Sequence, residues 1–205
     1  MVTGDGGLRE RKKRETRFAM SQAAIRLAVE RGWDNVSVED IAAAANVSER
    51  TFRNYFASKA EAVVATHIER GQRTAEALRE RPADEPLWDA LVNAVLVQFE
   101  PPSDSPSPAP DDGYAAGLQK MLAEPAIQQE VFKAHAMAQV ELTAAIADRT
   151  GTDADKDLYP QVVAAVVSAG LGTAMGHWTH DPTQSLVSLL REVFDQIRAG
   201  LPDPR

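Results

Sequence analysis

Arg50, Thr51, Arg53, Asn54 and Tyr55 place five side chains able to grip a nucleic acid within six consecutive positions. Stepping 100° per residue along a helix puts Phe52 and Phe56 on one side and Arg50, Thr51, Arg53 and Asn54 on the other. An arginine can fork onto guanine O6/N7 or onto a phosphate, an asparagine can pair bidentately with adenine, and a threonine can serve either role. Ser48 and Glu49 stand at the N-terminus of the same helix, where exposed N–H groups favour a phosphate oxygen. Tyr55 flanks the face with a hydroxyl suited to a phosphate. Lys59, opening the next helix, is expected to reach the DNA backbone as a point charge. An R-x-x-R-N run alone fits a solvated amphipathic helix equally well, so the neighbouring elements decide its meaning.

Those elements are legible from capping chemistry. Ser37 followed by Asp40 fits a capping box, and Ser58 followed by Glu61 repeats the device. Ser48 is a plain N-cap, without an acidic partner at Thr51. Asn46, between the first two of these helices, tolerates the left-handed backbone of a sharp turn. Ile41, Ala44, Val47, Phe52 and Phe56 are expected to form a small core, with Ala42 to Ala45 letting two helices cross closely. A preceding helix ends at Arg31 before Gly32 and packs through Met20, Ala24, Leu27 and Ala28. Three short helices with a tight turn between the middle pair make a helix-turn-helix.

Residues 14–64 resemble the DNA-binding domain of the TetR family of bacterial transcriptional regulators. The resemblance rests on L-A-V-E-R-G-W (Leu27 to Trp33), V-S-V-E-D-I-A-A-A-A-N-V-S (Val36 to Ser48) and T-F-R-N-Y-F-A-S-K-A-E-A-V (Thr51 to Val63). Its most specific part is Tyr55-Phe56 with Lys59. The resemblance implies DNA contacts at Ser37, Val38, Ser48, Glu49, Arg50, Thr51, Arg53, Asn54, Tyr55 and Lys59. Three departures stand out. Asn46 replaces a frequent turn glycine, Ala28 stands where an aromatic is common (leaving Phe18 or Trp33 to fill the space), and Arg53 stands where an aromatic is common.

Composition agrees with a regulator without identifying one. The 205 residues are 44% hydrophobic, enough for a sizeable core, and contain no cysteine. Disulfides and thiolate chemistry are therefore excluded, and a reducing cytoplasm fits. No apolar stretch leads the N-terminus, and no run is read as approaching the ~18 apolar residues of a membrane span. The net charge of −8 is unevenly divided. Residues 1–70 carry 12 Lys+Arg against 10 Asp+Glu, and residues 71–205 carry 10 against 20. An acidic remainder would repel a duplex and turn the N-terminal part toward it. Arg9, Arg11, Lys12, Lys13 and Arg14 form a basic arm over residues 1–13. The arm reads either as a solvated tail or as a segment that tracks phosphates or enters the adjacent minor groove.

Residues 59–205 read as helix after helix, so the fold class is all-α, with residues 14–58 as the helix-turn-helix. The expected helices are Lys59 to about Glu80, Glu85 to Phe99, Asp112 to Leu122, Glu124 to Asp148, Asp155 to His177 and Pro182 to Ala199. Pro101 to Pro110 is a proline-rich loop, either a connector or a flap. Val162 to Gly176 is apolar around much of its circumference and rich in small residues, so it must be buried on more than one side. The family resemblance implies that the last two helices form a four-helix interface with a second copy. A two-fold reader independently needs two heads about 34 Å apart.

The implied mechanism is that of a ligand-responsive repressor. An effector enters the C-terminal body, shifts the long fourth helix and changes the spacing of the heads. Trp88, Val92, Phe99, Met121, Phe132, His135 and Gln139 are the candidate pocket lining. A regulator controlled by a protein partner, an activator, or a helical enzyme with an incidental helix-turn-helix are the alternatives. No G-x-S-x-G, P-loop, GxGxxG or HExxH occurs. His177 and His180 lack a carboxylate frame for a metal, and Asp153, Asp155 and Asp157 lack the glycine and glutamate of a calcium loop. Double-stranded DNA, a second copy and a small molecule are thus the expected partners, with no cofactor, metal or membrane.

Overall fold

The computed structural model describes residues 4–100, 112–181 and 183–201. The described residues are helical without strands: α1 (Gly4–Arg31), a single 3₁₀ turn (Trp33–Asn35), α2 (Val38–Ala44), α3 (Glu49–Tyr55), α4 (Lys59–Glu80), α5 (Leu87–Leu96), α6 (Asp112–Leu122), α7 (Pro125–Thr150), α8 (Leu158–His180) and α9 (Leu186–Arg198). They divide into two compact units. One gathers residues up to His67 with Ala116–Ala134, and the other gathers Ile68–Ala115 with His135 onward. The division falls inside α4, α6 and α7.

In the first unit the caps place the helices. The Ser37 Oγ accepts from Asp40 N at 3.0 Å while the Asp40 carboxylate accepts from Ser37 N at 2.8 Å, completing the expected box. Ser48 Oγ accepts from Thr51 N at 3.1 Å, and Ser58 Oγ from Glu61 N at 3.1 Å. The Glu61 carboxylate reaches one residue further back than a regular box, to Ala57 N at 2.7 Å. Asn46 adopts φ 55°, as a sharp turn demands.

Met20, Ala24, Leu27 and Ala28 of α1 are buried with Ile41, Phe52 and Phe56. Phe52 and Phe56 meet at a ring separation of 5.4 Å. The expected core is corrected at one position, since Ala44 is exposed and Ala42 is buried in its place. A run of four alanines carries no phase signal, so its inward face is set by the partners alone. Later residues complete this unit. Met121 and Ile127 are buried, and a Cβ at Gly117 would lie 2.6 Å from the Val29 carbonyl oxygen, so α6 approaches α1 at backbone distance.

The second unit is built around Leu78, Leu91, Val95, Ile146, Leu190 and Phe194. The end of α4 is held by Arg149, whose guanidinium donates to the carbonyls of Arg81, Pro82 and Glu85 at 3.2, 2.5 and 2.7 Å. Those carbonyls lie where a helix runs out of its own donors. Arg81 forks onto Glu85 with both contacts at 2.6 Å, and α5 starts at Leu87 after Pro86 as N-cap, two residues later than the expected Glu85. α9 begins at Leu186, where Ser185 Oγ caps Ser188 N at 3.4 Å. Pro182 and the Pro101 to Pro110 loop lie outside the described residues.

One expectation is overturned by α8. Its 23 residues include an 18-residue window of mean hydropathy 1.4, long and apolar enough to cross a membrane by length and composition. Glycines, serine and threonines interrupt the apolar run and lower its average, but not enough to break the window. One face packs on α9, burying Ala164, Val167, Gly170 and Ala174. Gly170 fits closely there, since a Cβ would stand 3.0 Å from side-chain atoms of Phe194 and Ile197 and those side chains would have to give way. The opposite face is exposed.

Candidate nucleic-acid interface

Phe52 fixes the orientation of α3 by pointing into the core, at 1% exposure. The opposite side carries Arg50, Arg53 and Asn54, all exposed, with Thr51 and Tyr55 half-buried at its margin. Arg50 and Asn54 have no hydrogen-bonding partner among the described residues, so their donors face solvent. Arg53 is restrained by Glu49 at 3.1 Å, an exposed i,i+4 pair that a phosphate can outcompete. The Thr51 hydroxyl is shared with Ser48 Oγ at 2.8 Å, leaving both oxygens near the helix N-terminus. Ser37 is exposed and Val38 half-buried at the start of α2. Arg31 stands 3.5 Å from Asp40. Hydrogen bonds from the Ser37 hydroxyl and backbone N–H hold the Asp40 carboxyl below its ordinary value, and Arg31 adds to this.

The basic arm is carried on a helix. α1 begins at Gly4, so Arg9, Lys12 and Lys13 project from its early turns. With Thr16, Val47, Thr51 and Tyr55 they line an open groove of ≈520 Å³. The groove joins α1 to the margin of α3. The cations are plain in the sequence but the groove is not, because the continuity of α1 through a charged stretch is not visible from charge alone. Arg17 lies over the Phe56 ring at 4.8 Å and belongs to the packing.

Lys59 makes its contacts within the head. Its Nζ donates to Trp33 O at 2.7 Å and to Val36 O at 3.0 Å, and stands 4.1 Å from the Trp33 ring centroid. Trp33 is accordingly half-buried beneath it, while Phe18 is 51% exposed.

The candidate effector residues are divided between the two units. Trp88, Val92 and Phe99 pack on the core of the second unit, Trp88 edge-on to Phe194 at 6.0 Å. Arg70 lies over the Phe99 ring at 4.4 Å. Met121 is buried in the first unit, and Phe132 is 76% exposed. His135 is exposed and Gln139 half-buried. His177 and His180 are exposed at the end of α8, where His180 Nδ1 contacts Gly176 O at 2.8 Å. The Asp153 carboxylate closes a turn, accepting from the N–H groups of Asp155 and Lys156 and pairing with Lys156 Nζ at 2.8 Å. Among the described residues no cluster of His, Asp or Glu could hold a metal ion.

A short capped helix with an open Arg/Asn face, set against a cationic groove, defines a helix-turn-helix DNA-binding regulator. Residues 22–66 match the model for bacterial regulatory proteins of the tetR family, and residues 85–202 match the MftR C-terminal domain. The chain belongs to the TetR family. Its relatives include the HTH-type transcriptional regulator TcmR of Streptomyces glaucescens, 30% identical over 80% of this chain and 73% of that protein. Another is named as a mycofactocin biosynthesis transcriptional regulator, MftR of Mycobacterium tuberculosis, 30% identical over 93% of each chain. A crystal structure of a transcriptional regulator from Rhodococcus sp. RHA1 covers 92% of this chain and 97% of that one at TM-score 0.49 and 18% identity.

Proposed function

We propose that this regulator is a homodimer that represses from a two-fold symmetric operator and releases it when a small molecule binds. The observation that carries the reading is the exposed face of α8. Leu158, Val162, Ala165, Ala169, Gly172 and Gly176 recur at alternating four- and three-residue steps, and all are exposed. Such spacing is that of a seam between packed helices. Leu158 is 75% and Val162 55% exposed, and nothing lies within 4 Å of a Cβ built on Gly172 or Gly176. Small residues there allow close backbone approach by a second helix. The outward residues of α9, among them Arg191, Glu192 and Asp195, are charged and suit the rim of such an interface.

On the DNA side, Arg50 and Asn54 read base edges. Ser37, Val38, Ser48, Glu49, Thr51, Arg53 and Tyr55 border the phosphates, and Arg9, Lys12 and Lys13 hold a phosphate strand in the α1 groove. A cavity of ≈200 Å³ between α4 and α7, lined by Ile68, Gln72, Met137, Ala138, Val140 and Glu141, is a starting point for an effector. Its volume is below the ~300 Å³ of an ordinary ligand pocket. An effector of drug size must therefore part α4 from α7 where a Cβ on Gly71 would meet Ala138 Cβ at 2.6 Å. Sedimentation equilibrium on the full chain tests the dimer. A species of twice the 22.2 kDa chain mass is expected, and a monomer at micromolar concentration would refute it.

A further inference from the structure

We propose that Lys59 is a positioning residue of the reading head, a strut that fixes where α2 begins relative to α4, and not a phosphate contact. The inference rests on α3 and the α1 groove being the surfaces that meet the duplex. A lysine at the first residue of a helix faces the positive end of the macrodipole, where a cation is disfavoured. Here the ammonium is turned away from that end onto Trp33 O and Val36 O, at 2.7 and 3.0 Å. The Trp33 ring, 4.1 Å away, supplies a third attractive surface. Two carbonyls and a ring face replace most of the hydration that a lysine seeking a phosphate would keep.

The choice of carbonyls gives the contact its consequence. Trp33 opens the 3₁₀ turn that follows Gly32, and Val36 precedes Ser37, the N-cap of α2. These carbonyls belong to the link between α1 and α2, and Lys59 ties that link to α4 across 23 to 26 residues of sequence. Ser37 and Val38 inherit their placement from it. Losing the strut loosens the start of α2, so affinity falls through misplacement. The number of counterions released by the duplex stays the same.

Two variants of the full chain, each removing one positive charge, separate the roles. Lys59→Met and Lys12→Met would be titrated against a fluorescent random-sequence duplex of about three helical turns, between roughly 50 and 200 mM salt. Lys12→Met should lower the slope of log K against log[salt] by about 0.9, the value for one lost phosphate contact. Lys59→Met should leave the slope unchanged while lowering the melting temperature and altering tryptophan emission. A fall of about 0.9 for Lys59→Met, with melting and emission unchanged, would overturn the proposal.

The unaltered protein provides a second readout should Lys59→Met fail to fold. An ammonium held by two carbonyls should give a side-chain ¹⁵N resonance protected from exchange in the free protein and unmoved by excess duplex. A resonance protected only after DNA is added would equally refute the strut. If Lys12→Met leaves the slope intact, the groove reading fails, and the ammonium resonance still decides the role of Lys59.

Discussion

α3 and α8 each turn one face inward and leave the other open, but the open faces have opposite chemistry. The seven residues of α3 bury Phe52 and present arginines and an asparagine. The twenty-three of α8 bury Ala164, Val167, Gly170 and Ala174 and present leucine, valine, alanine and glycine. An outward guanidinium is well solvated alone and gains from a polyanion. An outward stripe of Leu158, Val162 and small residues is costly to leave in water and gains from a copy of itself. Two open faces of one chain suit two kinds of partner, and under the proposed function the second would multiply the first by bringing two reading heads to one duplex.

The largest expected effect comes from breaking the apolar face. Ala169→Glu places an unpaired carboxylate in the proposed seam, which a close helix pair cannot bury. The chain should sediment as a monomer with its folded helix content retained. Affinity for a two-fold symmetric duplex should fall by about 10²- to 10⁴-fold, the advantage of linking two binding events. Next comes the polar face. Arg50→Ala or Asn54→Ala should cost about 1–3 kcal/mol on the operator and relax base preference, with the dimer intact by sedimentation. Equal losses on operator and random duplex would remove them as base readers.

A smaller effect separates the face of α3 from its foundation. Ser48→Ala removes the N-cap and should lower stability by about 1 kcal/mol in denaturant titration, leaving sedimentation unchanged. The smallest is a pH effect at the head. Asp40 has a folded pKa below its unfolded value, held there first by the Ser37 hydroxyl, then by the Ser37 backbone N–H. Its contribution is therefore present above the unfolded pKa, near 3.8, and is lost as pH falls through the lower folded value. Asp40→Asn should lower stability slightly at neutral pH, where the contribution is fully present, and flatten the acid limb, so that the two proteins converge at low pH.

The two faces also differed in how far the sequence revealed them. In α3 the alternation of Phe52 and Phe56 with Arg50, Arg53 and Asn54 has a helical phase, and serines mark its ends, so orientation followed from residue types. α8 is apolar all round, and nothing in Val162 to Gly176 says which side meets α9. The phase became visible only when Gly170 proved to lie against Phe194 and Ile197. The alanine run of α2 failed for the same reason, with Ala42 and not Ala44 inward. Lys59 is conspicuous in the sequence, but its direction depends on a 3₁₀ turn that offers two carbonyls, a geometry no spacing rule encodes. The candidate effector residues are mostly apolar or aromatic members of helices, a property shared by core. Trp88 and Phe99 joined the core, and Phe132 emerged exposed.

In the proposed function one chain couples a polar reading face to an apolar self-association face on a symmetric operator. The measurement that tests it most directly is fluorescence anisotropy of the full chain on duplex tiles from the DNA upstream of its own gene. Each tile would be run at two salt concentrations beside a scrambled control, with stoichiometry read from saturation. One tile of two-fold symmetric sequence should bind well above the scramble, with two chains per duplex and a steep salt dependence. Saturation of that tile at one chain per duplex, or salt-insensitive binding of it, would rule out a dimer reading the operator through its charged face.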